Sequence, residues 1–326
     1  MYPFTQLFAR RGVSSLHEDL AEEFALPLDQ LPVRGSLRRY APAPTRQLQA
    51  AELAAILQAA RSNPLAIPDP QGAARINLFD HFAPVWEFEQ LTDDDRIGQI
   101  SLGNETRAHH VDVDTPVAYR WISHTRFNGE ALLQLNYLVW TPARTAQSAT
   151  DIYAGAFDGL IWRVTLLSDG TPLAFDSVHP CGCYYLLFNG ASTTARATSN
   201  VTEPILVAQQ LPALQPGQRM VIRVRAGDHY IQRVYPDADT RGVTYQLLDY
   251  QQLLMVGNAG GQAHSLFDEE GLLRASARPE RFLLWPFGIS SAGAMRRSGT
   301  HAIAFVGVRH FDDAYLLDEL VELNVP

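Results

Sequence analysis

The feature that most constrains this chain is Asn128-Gly129, set between two runs of strand-forming residues, Val117-Ala-Tyr-Arg-Trp-Ile-Ser-His124 and Ala131-Leu-Leu-Gln-Leu-Asn-Tyr-Leu-Val-Trp140. Asn-Gly supplies the two left-handed residues of a tight hairpin, so the two runs are expected to pair antiparallel. A second hairpin follows, with Leu160–Leu167 and Thr171–Val178 joined through Ser168-Asp169-Gly170. Further strands are expected at Val85–Leu91, Cys183–Phe188, Arg219–Arg225, His229–Tyr235, Tyr245–Leu248, Arg281–Trp285 and His301–Arg309, with period two setting in from about Ile76. Many hairpins with few helices between them predict a mostly β fold, an antiparallel sandwich or barrel-like sheet.

Residues 1–75 read as a helical and irregular lead-in. Leu16, Leu20 and Phe24 share one helical face, and Gln47–Arg61 is rich in helix formers, bounded by Pro42 and Pro44 before it and by Pro64, Pro68 and Pro70 after it. A β-rich region spans 76–190, a linker is expected at 191–217, and a second β-rich region packs on the first over 218–326, closing on a short helix at Asp313–Leu323.

Composition narrows the function. All 26 basic residues are arginine, so no Schiff-base lysine exists and neither pyridoxal-phosphate chemistry nor a P-loop nucleotide site is expected. The formal charge of −9 argues against a nucleic-acid partner, and no stretch is long and apolar enough for a spanning helix. The N-terminus lacks the order of a signal peptide, which makes a cytoplasmic location the default for this bacterial-type chain, or a periplasmic or secreted one if a leader has been removed.

Both cysteines and one of the ten histidines fall within His179-Pro180-Cys181-Gly182-Cys183. Thiolate and imidazole donors on one turn suit a Zn, Cu or Fe centre, with a further ligand drawn from His124, His301 or His310. The expected metal set is therefore His179, Cys181 and Cys183 with His124 and His310. A weaker cluster, His109-His110 near Asp112 and Asp114, reads as a polar loop.

Cys181-Gly182-Cys183-Tyr184 also resembles a one-residue-shortened form of the Cys-Gly-Ser-Cys-Trp segment of papain-like cysteine peptidases, and His301-Ala-Ile-Ala-Phe-Val-Gly307 resembles their His-bearing strand. That resemblance implies a thiol nucleophile at Cys183 or Cys181, a base at His301, and an orienting group at Asp312, Asp313 or Asn324. Two departures stand beside it: no glutamine precedes the thiol to serve an oxyanion hole, and the residues after Cys183 read as strand where the family opens a helix.

Asp151 and Asp158 bracket a turn containing Gly155, and Asp93-Asp94-Asp95 forms an acidic run suited to a hard cation or to solvent. Trp140 and Trp162, with Arg126 and Arg163 beside them, are either core aromatics or the wall of a groove for a sugar or a peptide. Three readings follow: a metal-binding enzyme such as a metal-dependent hydrolase, a Cys–His hydrolase, or a non-catalytic β module for a glycan or protein partner.

Overall fold

A computed structural model describes residues 3–102, 108–196, 203, 205–257, 263–285, 289–304 and 308–324, with side chains described from Val13 onward. Its elements run α1 (Pro3–Ala25), β1 (Ser36–Pro42), α2 (Ala50–Ala60), α3 (Gly72–Phe82), β2 (Val85–Gln90), β3 (Gln99–Leu102), β4 (His109–Asp112), β5 (Val117–Phe127), β6 (Glu130–Arg144), β7 (Gly155–Leu166) and β8 (Pro172–Val178). They continue as β9 (Leu186–Asn189), β10 (Thr193–Ala195), β11 (Leu206–Gln210), β12 (Arg219–Val224), β13 (Ile231–Asp237), β14 (Val243–Asp249), β15 (Val256–Gly257), β16 (Ala263–His264), α4 (Arg281–Leu284), α5 (Leu316–Leu320) and β17 (Val321–Leu323).

Eleven strands form one sheet in the order β11-β9-β8-β7-β6-β5-β14-β1-β2-β12-β13. The expected Asn128-Gly129 hairpin is there: Asn128 and Gly129 both take positive φ, and Phe127 pairs with Glu130. The expectation of a purely antiparallel sheet is corrected, because β1–β14, β14–β5, β2–β12 and β9–β11 pair parallel. Three of those pairs join segments far apart in sequence, which no local turn signal encodes.

The sheet curls into a barrel with one seam. At that seam the side chain of Gln209 does the work of a peptide group: its Oε1 accepts from Val234 N at 2.8 Å and its Nε2 donates to Val234 O at 3.1 Å. Gln209 sits at a register shift in β11, which turns its amide across the gap to β13. Because β11 and β13 belong to one sheet with β5–β9, strands on both sides of 191–217 share a single layer.

Alternation along β6 builds two cores. Leu133, Leu135, Tyr137 and Val139 join an inner core with Trp162, Phe188, Tyr40, Trp86, Ile222 and Tyr245 from all round the barrel, while Leu132, Leu138 and Trp140 face outward. The outer face is covered by the C-terminal chain through Tyr250, Phe267, Met295, Phe311 and Leu317. A strand buried on both faces explains why 131–140 is apolar almost throughout.

Three sequence expectations fail locally. Residues 72–82 form α3, not the start of a strand; Arg281–Trp285 holds one turn of helix; and among its described residues His301–Arg309 makes only an isolated bridge from Ala302 to His310. α3 buries Leu78, Phe79 and Phe82, and Phe79 O accepts from the Tyr137 hydroxyl inside the barrel.

Candidate active site at the barrel rim

At one rim of the barrel, where β6 ends, β7 begins and β8 ends, the inward row turns polar. Asp158 stands directly across from Thr141 and occupies the same face of β7 as Leu160 and Trp162. It is 1% exposed, so its charge needs partners. Asp158 Oδ2 lies 2.9 Å from Nδ1 of His229, and Oδ1 lies 3.3 Å from Nδ1 of His179. On its far side, His229 Nε2 makes a 3.3 Å ion-pair contact with Asp95 Oδ1, which also accepts from Gly227 N.

His229 is thus an imidazole clamped between two carboxylates. Burial pulls its pKa down, but hydrogen bonds to Asp158 and Asp95 win and carry it up to about 9, making it a cation at neutral pH. Burial pushes Asp158 up, yet the two imidazoles hold its carboxyl well below the ordinary range. With Nδ1 of His179 engaged by Asp158, Nε2 is the nitrogen left to react.

His179 opens a closed turn in which its N–H donates to Cys183 O and its carbonyl accepts from Gly182 N. Gly182 is obligatory: φ is +89°, and a Cβ there would meet Ala302 O at 2.5 Å. His179 lies between two small cavities. One is walled by Leu20, Leu160, Tyr230 and Ile231. The other is lined by Arg144, Asp158, Cys181, Cys183, Arg278 and Glu280 together with His179.

Arg144 is held over the rings of Tyr153, Tyr184 and Tyr230 at 5.5, 5.6 and 5.3 Å. Arg278 donates to Phe157 O and lies 4.0 Å from Asp158. Burial raises the Glu280 carboxyl above its ordinary value against the pull of Arg278 and Arg144. Asp158 and Glu280 therefore border one cavity with their proton affinities pushed apart, the arrangement that separates acid from base roles. Three of the five non-glycine residues with positive φ among the described residues are also here: Phe157, Tyr184 and His229.

Of the expected metal set, His179, Cys181 and Cys183 line this cavity, while His124 and His310 do not. His124 is exposed, with Nε2 2.7 Å from Pro68 O, and His310 is exposed beside Ala302. Among the described residues, no group of three or more His, Cys, Asp or Glu side chains is arranged as ligands about one point.

His301 and Asp312 approach to 3.7 Å, but His301 faces Phe311, and the groups acting most on the Cys183 thiol are Cys181, Glu280 and Arg296. Hydrogen bonding with Cys181, burial and the Cys181 charge all push that thiol well up, away from a nucleophilic thiolate.

Trp140 and Trp162 are both completely buried in the two cores. Arg163 is 1% exposed, paired with Asp176 and donating to Phe311 O, so these three residues are packed inside and wall no groove. Arg126 is exposed and donates to Gly129 O.

Sequence reasoning found His179 and touched Asp158 and Asp95, but missed His229, Arg144, Arg278 and Glu280. Asp158 had a usable signal, an acid on the otherwise apolar row 158, 160, 162, 164. No family model matches the chain, and neither a curated protein nor a solved structure matches it.

Proposed function

We propose that the rim cavity is the active site of an acid–base enzyme, with hydrolysis as its reaction class. The observation that carries this reading is His179, fixed through Nδ1 by a buried carboxylate that is itself fixed by His229, with Glu280, whose carboxyl burial raises above its ordinary value, lining the same cavity. In this scheme His179 Nε2 takes a proton from water, the water oxygen attacks the substrate's electrophilic centre, and Glu280 gives its proton to the leaving group. Proton return from the imidazolium to the Glu280 carboxylate resets the site. Asp158 acts as a positioning residue that fixes the tautomer of His179.

The test is turnover of chromogenic ester, amide, phosphoester and glycoside panels by the wild type and by His179→Ala and Glu280→Gln. Activity on one class, lost about 10²-fold or more in both variants with unchanged thermal midpoints, supports the reading. Turnover indifferent to His179→Ala, or none on any class, overturns it.

A second reading rests on His179, Cys181 and Cys183 bordering one cavity, donors that suit Zn, Cu or Fe. Elemental analysis with thiol counting before and after a chelator separates the two. A stoichiometric metal that protects both thiols favours this reading over the metal-free scheme.

A further inference from the structure

Among the described residues, two arginines at the rim cavity have no hydrogen-bonded carboxylate. Arg144 pairs with no carboxylate among the described residues; its guanidinium meets only the hydroxyls of Tyr184 and Tyr230, at 3.4 and 3.5 Å. Burial pushes the Tyr230 phenol up to about 12 and raises Tyr184 well above its ordinary value, so neither hydroxyl supplies a negative charge at neutral pH. Arg278, 3% exposed, reaches Asp158 only at 4.0 Å, and that carboxylate is already shared by His229 and His179.

Two N–H donors of these guanidinium groups, Arg144 Nε and Arg278 Nη1, are buried without any hydrogen-bond partner. A buried donor left unmade costs about 1–3 kcal/mol, more when charged, and such orphans in a native fold call for an explanation. Both arginines line the cavity together with Asp158 and Glu280, on a chain whose overall charge is −9.

We infer that the cavity binds the anionic oxygen group of a small substrate, a carboxylate or a phosphate, between the guanidinium groups of Arg144 and Arg278. This rests on the rim cavity being the substrate site and names the chemistry its substrate carries. Planar guanidinium groups match carboxylate and phosphate oxygens in pairs. Tyr184 packs its ring on His179, at a centroid separation of 5.1 Å, and also meets Arg144, so an anion held at Arg144 is placed beside the reacting imidazole.

The probes are potassium acetate and potassium phosphate, titrated into the full-length protein against chloride at matched ionic strength, with thermal unfolding as the readout. Saturable binding raises the thermal midpoint by about 2 °C at tenfold Kd, and the anion that saturates at the lower concentration is the preferred group. Arg144→Gln must abolish the saturable shift and leave only the general salt effect. If that variant fails to fold, the Arg144 Nε–H resonance of the wild type must move with the same midpoint.

No saturable shift with either anion, a shift preserved in Arg144→Gln, or a static Arg144 resonance overturns the inference. Anion binding that survives in a protein with no turnover on any panel sinks the acid–base reading alone. Turnover of neutral substrates uninhibited by either anion sinks this one alone.

Discussion

The buried imidazolium of His229 makes stability depend on pH in a way that can be worked through. Its ordinary value is 6.5 and its folded value about 9. The proton is held more tightly folded than unfolded, so the associated stability is fully present below about pH 6.5 and is lost as pH rises through 9. A rise of about 2.5 units corresponds to ~3 kcal/mol at 1.36 kcal/mol per unit. That amount belongs jointly to His229 and the two carboxylates it faces. Asp95 and Asp158 have folded values below 3.8, so their share is present above about pH 4 and disappears in acid.

The informative variant is His229→Asn, because asparagine tolerates the left-handed backbone at 229, where φ is +57°, yet carries no charge. Urea unfolding, followed by fluorescence of the buried Trp86, Trp140 and Trp162, is to be compared for wild type and variant from pH 3.5 to 10. The difference in stability is expected to plateau at ~3–5 kcal/mol between about pH 4 and 6.5, as for any buried ion pair that loses one partner. It should then shrink by about 3 kcal/mol towards pH 10, where the wild type has also lost the charge. A difference that stays flat from pH 6 to 10 would mean that His229 is neutral in the fold and that the two carboxylates facing it hold no imidazolium.

Three other outcomes follow from the packing. Gln209→Ala removes both hydrogen bonds across the barrel seam and should cost ~1–3 kcal/mol, with faster amide exchange at Val234 while the amides of β6 stay protected. Asp176→Leu strands the buried Arg163 guanidinium and should cost ~3–5 kcal/mol, whereas Arg163→Met with Asp176→Leu should recover most of it, as read by urea midpoints. The Cys183 thiol should react with iodoacetamide slowly at pH 7 and still more slowly than an ordinary thiol at pH 9; rapid labelling at neutral pH would contradict its raised proton affinity.

Turn chemistry was legible in the sequence because it is local. Asn128-Gly129 and Ser168-Asp169-Gly170 each settle a hairpin within a few residues, and the inward and outward rows of β6 follow from period two. The parallel pairing of Tyr40 with Val243 was not legible, since nothing within either segment refers to the other. Arg281–Trp285 carries the apolar and aromatic run of a strand, yet it pairs with no strand among the described residues, and Phe282, Leu283 and Trp285 remain exposed on one helical turn. The same locality explains the site. His179, Cys181 and Cys183 stood out by proximity in sequence, whereas His229, Arg144, Arg278 and Glu280 reach the rim from three separate segments only once the barrel has closed.

Backbone strain decides between a merely structural polar cluster and a working one. Phe157, Tyr184 and His229 hold left-handed conformations that disfavour a side chain, at about 1–3 kcal/mol each, and they precede Asp158, follow Cys183 and form the centre of the imidazole clamp. Buried charge adds further cost, since apolar residues of similar volume are often neutral or stabilising in place of a buried ion pair. A rim needing only to be filled would reach greater stability with leucine and glycine at these positions. The arrangement instead aims Asp158 at His179 and leaves Arg144 and Arg278 without a hydrogen-bonded carboxylate beside it, as the proposed anion site requires.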